Sequence, residues 1–364
     1  MKILIVLTAI ATFLFVFILQ NSYAQQQYMV VNQWGHSGRG QQGSFSQPNE
    51  ISVDLDGNVY VTDFTATSNQ IQKFSNNGSF LDSWGSLGFG ANYFANPTSI
   101  AIDSEDDVYV TDFGAPSFAV QKFTSNGTFL DTWGAVGLGP GQFINPAGIA
   151  VGSDGYVYVS DFGDPSFAVQ KFTSNGTFLD TWGALGLGNG QFINPAGIAV
   201  DSDGYVYVAD FGENNHVIKF DGDGNLINEW GTPGTDNGQF ITPTDIAIDS
   251  ENNVYVGDSG NDRIQVFDSN GNFIRKFGTS GSGDGQLDAI GGIAIDSSDN
   301  IFVSDSVNDR IQVFDSNGNF IRKFGTSGSG DGQFDIPTGI AIDSQGKVFV
   351  VDQGNHRIQV FRLS

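Results

Sequence analysis

A chain of 364 residues with 40 acidic and 15 basic side chains carries a formal net charge of −25. That balance argues against nucleic acid, which needs a basic surface that releases counterions, and against adhesion to anionic lipid; it suits cationic ligands, metal ions and a solvated acidic exterior. There is no cysteine, so disulfides, thiol catalysis and thiolate metal sites are excluded.

The chain opens on Lys2, an apolar run from Ile3 to Leu19, and Ser22-Tyr23-Ala24. Residues 1–24 read as a secretory leader cleaved after Ala24. An uncleaved anchor is the alternative, because about 18–20 apolar residues can span a bilayer. Either reading puts residues 25–364, one repeat domain, in the extracellular medium or on the cell surface. No later segment is apolar enough for a membrane helix.

From there the chain repeats. Trp-Gly or Phe-Gly recurs at Trp34, Trp84, Trp133, Trp182, Trp230, Phe277 and Phe324, at steps of 50, 49, 49, 48, 47 and 47 residues. Periods of about 40–50 residues built from short alternating segments mean propeller blades or solenoid units. Within Pro97 to Gly134 four strands are predicted. Ile100-Ala101-Ile102 is an apolar run expected to be buried on both faces, and Val108 to Asp112 is β-branched and alternating. Val120 to Phe123 and Thr128 to Trp133 flank Asn126-Gly127, the strongest short hairpin signal. We call these strands a to d, with a innermost. The c–d turn appears six times for seven units. The seventh unit stops at Arg357 to Phe361, and Tyr28 to Gly35 is a strand without a blade. The N-terminal strand is therefore predicted to complete the last blade, closing a ring of seven and removing its free edges. The recurring Gly-x-Phe before strand a, as in Gly141-Gln142-Phe143, is expected to fill the wedge between blades.

The copies Gly285-Gln286-Leu287, Gly292-Ile293-Ala294-Ile295-Asp296, Ile301-Phe302-Val303-Ser304-Asp305 and Asn308-Asp309-Arg310-Ile311-Gln312-Val313-Phe314 resemble the NHL repeat. The resemblance covers about residues 28–364 and implies a β-propeller. It does not fix an activity, since one propeller serves many tasks. NHL propellers are most often six-bladed; relatives include RNA- and protein-binding domains, sensor domains and a zinc-dependent amidating lyase. Blades five to seven match almost in full. Blades one to three carry Ser68-Asn69-Gln70, Ser117-Phe118-Ala119 and Ser166-Phe167-Ala168 where Asn-x-Arg is expected.

Residues present in every copy are scaffold, so function is sought where copies differ. Asp63, Asp112, Asp161, Asp210, Asp258, Asp305 and Asp352 end strand b in all seven and are expected to accept N–H groups of the b–c turn, with Arg263, Arg310 and Arg357 beside the last three. Asp221 to Asn225 and Asp268 to Asn272 lack the spacing and closing Glu of a calcium loop and read as hairpin turns. His36, His216 and His356 fall on one face, but His216 belongs to blade four and His356 to blade seven, across the ring from each other, which disfavours a shared zinc. Asn77, Asn126 and Asn175 begin glycosylation acceptor triplets that coincide with hairpin turns, leaving both readings open.

Two asymmetries remain. The residue before the strand-a isoleucine is Glu50, Ser99, Gly148, Gly197, Asp245, Gly292 or Gly339, so Glu50 and Asp245 alone put charge at the channel mouth and can take calcium, another divalent cation or a cationic ligand group there. Burial with a water is the plainer alternative. After the strand-b Asp come Phe64, Phe113, Phe162 and Phe211 in blades one to four, with Phe118 and Phe167 in the same loops. Phe89, Tyr93, Leu138 and Leu187 sit in neighbouring d–a loops. The other half of this face carries Arg263, Arg310 and Arg357. Exposed aromatic loops mark binding surfaces; packing of these rings between blades is the alternative. The expectation is a secreted or cell-surface, non-enzymatic propeller that engages a protein, peptide or glycan through the b–c/d–a face, without a resident cofactor. The runner-up is a metal-dependent lyase or lactonase-type enzyme with its site in the channel.

Overall fold

The computed structural model describes residues 27–38, 42–64, 69–114, 119–163 and 168–364. Seven four-stranded antiparallel sheets follow one another. The first is Pro48–Val53, Val59–Asp63, Gln70–Phe74 and Phe80–Trp84. In the last, Pro337–Ile342, Val348–Asp352 and Arg357–Leu363 are joined by Tyr28–Trp34. Tyr28 pairs with Leu363, Val30 with Phe361 and Trp34 with Ile358, so the N-terminal strand closes the ring as predicted. The strands a of adjacent blades touch all the way round, including Pro48–Val53 against Pro337–Ile342. Two ends of one chain thereby become neighbours, and no blade is left with an open inner edge.

The core is distributed. Seven hydrophobic clusters each join two adjacent blades; one holds Trp34, Phe45 and Phe74 of the closing seam with Phe349 and Val351. The Gly-x-Phe ring lies in this wedge as expected: Phe45, Phe94, Phe143, Phe192, Phe240 and Phe334 are fully buried. Burying one such ring contributes about 1.5–3 kcal/mol. The Trp of strand d packs on the c–d turn of the next blade. A Cβ on Gly127 would come within 2.5 Å of Trp84, and its φ is +75°, so glycine is required there twice over.

Burial does not fall steadily from strand a outward. Strands b and c are buried along their whole length, whereas strand a has two half-buried positions after each buried one. The expectation of a strand a covered on both faces is corrected: one of its faces looks into the axial channel. The seven strand-b aspartates are fully buried. Their donors also differ from expectation. Asp63 Oδ1 accepts from the Ser46 and Gln47 backbone N–H, and Asp112 Oδ1 from Ala95 and Asn96. These belong to the loop entering strand a, not to the b–c turn. Each carboxylate thus ties the d–a loop to strand b.

Candidate functional site

Strand a converges on the axis from all seven blades, and its first residues line a cavity of about 780 Å³. The cavity lies at the b–c/d–a end, because Pro48 at the start of strand a pairs with Asp63 at the end of strand b. The lining is uneven for a steric reason. A Cβ on Gly148 would sit 2.6 Å from the Ala196 carbonyl oxygen, and one on Gly197 2.7 Å from that of Thr244. Where neighbouring strands approach so closely, only glycine fits. Blades one, two and five hold Glu50, Ser99 and Asp245 at the equivalent position, and all three line the cavity.

The two carboxyl groups differ. Asp245 Oδ1 accepts from its own neighbour's N–H, Ile246, at 2.9 Å, and Oδ2 from the Ile293 N–H of the next blade at 2.8 Å. Burial raises its pKa while these donors pull it down. Glu50 receives no donor on its carboxyl from any described residue; only its backbone is engaged, the N–H donating to Thr62 Oγ1 and the carbonyl accepting from the same hydroxyl. Burial first, and the Asp245 charge second, push the Glu50 pKa up to about 8. Glu50 therefore holds its proton near neutral pH. Among the described residues no other titratable side chain lines the cavity.

Blades two and three add an aromatic wall. Phe113 and Phe162 line the cavity and stack, with ring centroids 6.3 Å apart and planes inclined by 20°. Both are half-buried. The b–c loops that carry them are long: six residues separate the strand-b Asp from strand c in blades one to three, five in blade four and four in blades five to seven. Phe64 and Phe211 are half-buried and do not line the cavity. Phe118 and Phe167 lie outside the described residues. Phe89, Tyr93, Leu138 and Leu187 are exposed in the d–a loops of the same face.

Arg263, Arg310 and Arg357 are not on the surface. Each is buried, its Nε donating to the strand-b Asp at 2.6–2.7 Å. The Arg310 Nη groups donate to the carbonyls of Ser282, Gly283 and Gln286, which are d–a loop residues. These guanidinia clamp the scaffold and offer no free donor fork to a partner. His216 takes the place of the arginine in blade four, 3.1 Å from Asp210. Among the described residues no three His, Asp or Glu side chains come together as a metal would need. Glu50 and Asp245, with Asp245 already turned to two N–H donors, do not fit a divalent cation that requires six to eight oxygens.

One lining group escaped the sequence reading. The side-chain Oδ1 of Asn96, in the loop entering strand a of blade two, is buried and without a hydrogen-bond partner among the described residues. Position alone could not distinguish it from Asn145 or Asn194, which stand at the same point of the repeat.

Asn77, Asn126 and Asn175 are exposed in c–d turns, on the opposite face. Their Oδ1 atoms accept the hydroxyls of Ser79, Thr128 and Thr177, the third residue of each triplet.

Residues 192–220 and 240–267 match the NHL repeat, and residues 286–364 match a family model described as a 6-bladed beta-propeller. The present ring has seven blades. No curated protein matches. Among solved structures, a streptogramin B lyase superposes with a TM-score of 0.69 at 17% identity, over 93% of this chain and 97% of the other. Virginiamycin B lyase from Staphylococcus aureus gives 0.69 at 14% identity, over 93% and 100%. The WD40 propeller domain of Doa1 gives 0.64 at 13%, over 92% and 97%. At these identities the likeness is one of fold.

Proposed function

We propose that this NHL-repeat propeller is a secreted or cell-surface binding module that takes a protein, peptide or glycan partner on its b–c/d–a face, with the axial cavity at the centre of the site. The observation that carries the reading is the cavity of about 780 Å³ walled by the stacked Phe113 and Phe162. A concave site with an apolar wall and a few oriented polar groups is the usual form of a ligand pocket. The long b–c loops, unlike the short ones of blades five to seven, hold that wall. The Phe113→Ser/Phe162→Ser variant should lose capture of the partner taken up by the wild type from the native extracellular medium, as read by affinity capture and mass spectrometry. Near-ultraviolet circular dichroism separates loss of the site from loss of the fold. Unchanged capture by a folded variant would remove this site.

A catalytic reading rests on a different observation: Glu50 holds a proton near neutral pH in the same cavity as Asp245, whose carboxylate form two N–H groups favour. Elemental analysis and chelator treatment of the purified protein test the metal-dependent version. No stoichiometric metal and no chelator-sensitive turnover would dismiss it.

A further inference from the structure

We infer that the axial cavity selects the cationic end of its ligand, an alkylammonium or guanidinium group, with the ligand's apolar body against Phe113 and Phe162. The inference rests on the reading of this cavity as the binding site and adds the chemistry of the occupant.

The charged lining is acidic: the Glu50 carboxyl receives no donor from any described residue, and it gives up its proton when a cation comes to stand against it. Asp245 adds a carboxylate held by two N–H groups. The lining hydroxyls of Thr98, Thr244 and Ser259 are engaged within the wall, Thr98 with Thr111 and Thr244 with Ser259, and Ser99 adds a neutral hydroxyl. Among the described residues no Lys, Arg or His lines the cavity. An anion would meet like charge here, whereas a cation with several N–H donors supplies the Glu50 carboxyl with the donor it lacks and faces the Asp245 carboxyl. The net charge of −25 concentrates cations at the mouth of such a cleft. Aromatic faces in the same cavity as the carboxyls favour an organic cation over a bare metal ion, because the ring quadrupole attracts ammonium and guanidinium groups. The cation can belong to a free small molecule or to an Arg or Lys side chain of a protein partner; both present the same head group.

Isothermal titration with benzamidine and with its neutral isostere benzamide tests the inference. Benzamidine should bind at least tenfold more tightly, and Glu50→Gln should remove most of that difference. Ser99→Asp, which adds a carboxylate at the equivalent position of the next blade, should tighten benzamidine and serves if Glu50→Gln fails to fold. A capped peptide with one central Arg, titrated in parallel, distinguishes the sources. Tighter binding of the peptide points to a protein partner and of benzamidine to a free amine, and either order supports the inference. Equal affinity for benzamidine and benzamide, or Glu50→Gln within twofold of wild type, would overturn it. So would stoichiometric calcium binding without benzamidine binding. If Phe113→Ser/Phe162→Ser weakens both probes alike while Glu50→Gln changes neither, the site stands and its cation preference falls. If the aromatic variant changes nothing, the site itself is misplaced.

Discussion

Glu50→Gln probes the cost of charging one carboxyl in the channel. In the folded protein the Glu50 pKa is pushed from 4.5 to about 8, by burial and then by the Asp245 charge. The unfolded chain releases that proton near the ordinary value and the folded protein keeps it until about pH 8. Between these limits the folded state binds more protons, so stability falls as pH rises, by about 1.4 kcal/mol per pH unit. The loss is complete above about pH 8. It amounts to at most about 5 kcal/mol, a ceiling because the channel admits water to one side of the group. Glutamine keeps the shape of the protonated acid and cannot ionise. The variant should therefore match wild type near pH 4 and exceed it progressively up to pH 8–9. Urea unfolding at pH 4, 5.5, 7 and 9 measures the difference, which cancels the other buried carboxyls common to both proteins. Parallel stability curves would show that Glu50 ionises freely in the channel, and the acid–base asymmetry of the site would be withdrawn.

Two further outcomes follow from the scaffold. Arg310→Ala strands the fully buried Asp305 and three carbonyls, and should cost about 3–5 kcal/mol in denaturant unfolding; Arg310→Lys should not restore it, since an ammonium cannot span the same fork of acceptors. A loss below 1 kcal/mol would contradict the clamp. In blade three Gly152 stands where Asp54, Asp103, Asp201 and Asp249 each accept the hydroxyl of a buried tyrosine, and the Tyr158 hydroxyl is left without a partner among the described residues. Gly152→Asp should stabilise the protein by about 1 kcal/mol. The gain should vanish when Tyr158→Phe is added, and a gain that survives would point to the turn instead.

Legibility tracked the range of the physics. Asn126-Gly127 and its equivalents demand positive φ whatever surrounds them, so hairpins were readable residue by residue. The count of six c–d turns against seven units located the missing strand at Tyr28–Trp34, and its pairing with Arg357–Leu363 followed. The strand-b aspartates were recognisable as scaffold by repetition, but their donors were not. Ser46 and Gln47 lie 17 and 16 residues before Asp63 and reach it only when strand a folds back on strand b. The arginines misled for the same reason: an Arg beside a loop looks exposed in sequence, and here the d–a loop covers it.

By itself the sequence determined the repeat, the strand order, the turns and the closure, because each is fixed by local conformational preference or by a hydrophobic pattern along one blade. The tertiary structure decided which of the nonconserved-looking positions between copies share a space. Glu50, Asn96, Asp245, Phe113 and Phe162 come from four blades and meet only because seven strands a converge on one axis. How far a buried carboxyl is desolvated, and whether it finds a donor, depends on that convergence and on distances between chains of atoms far apart in sequence.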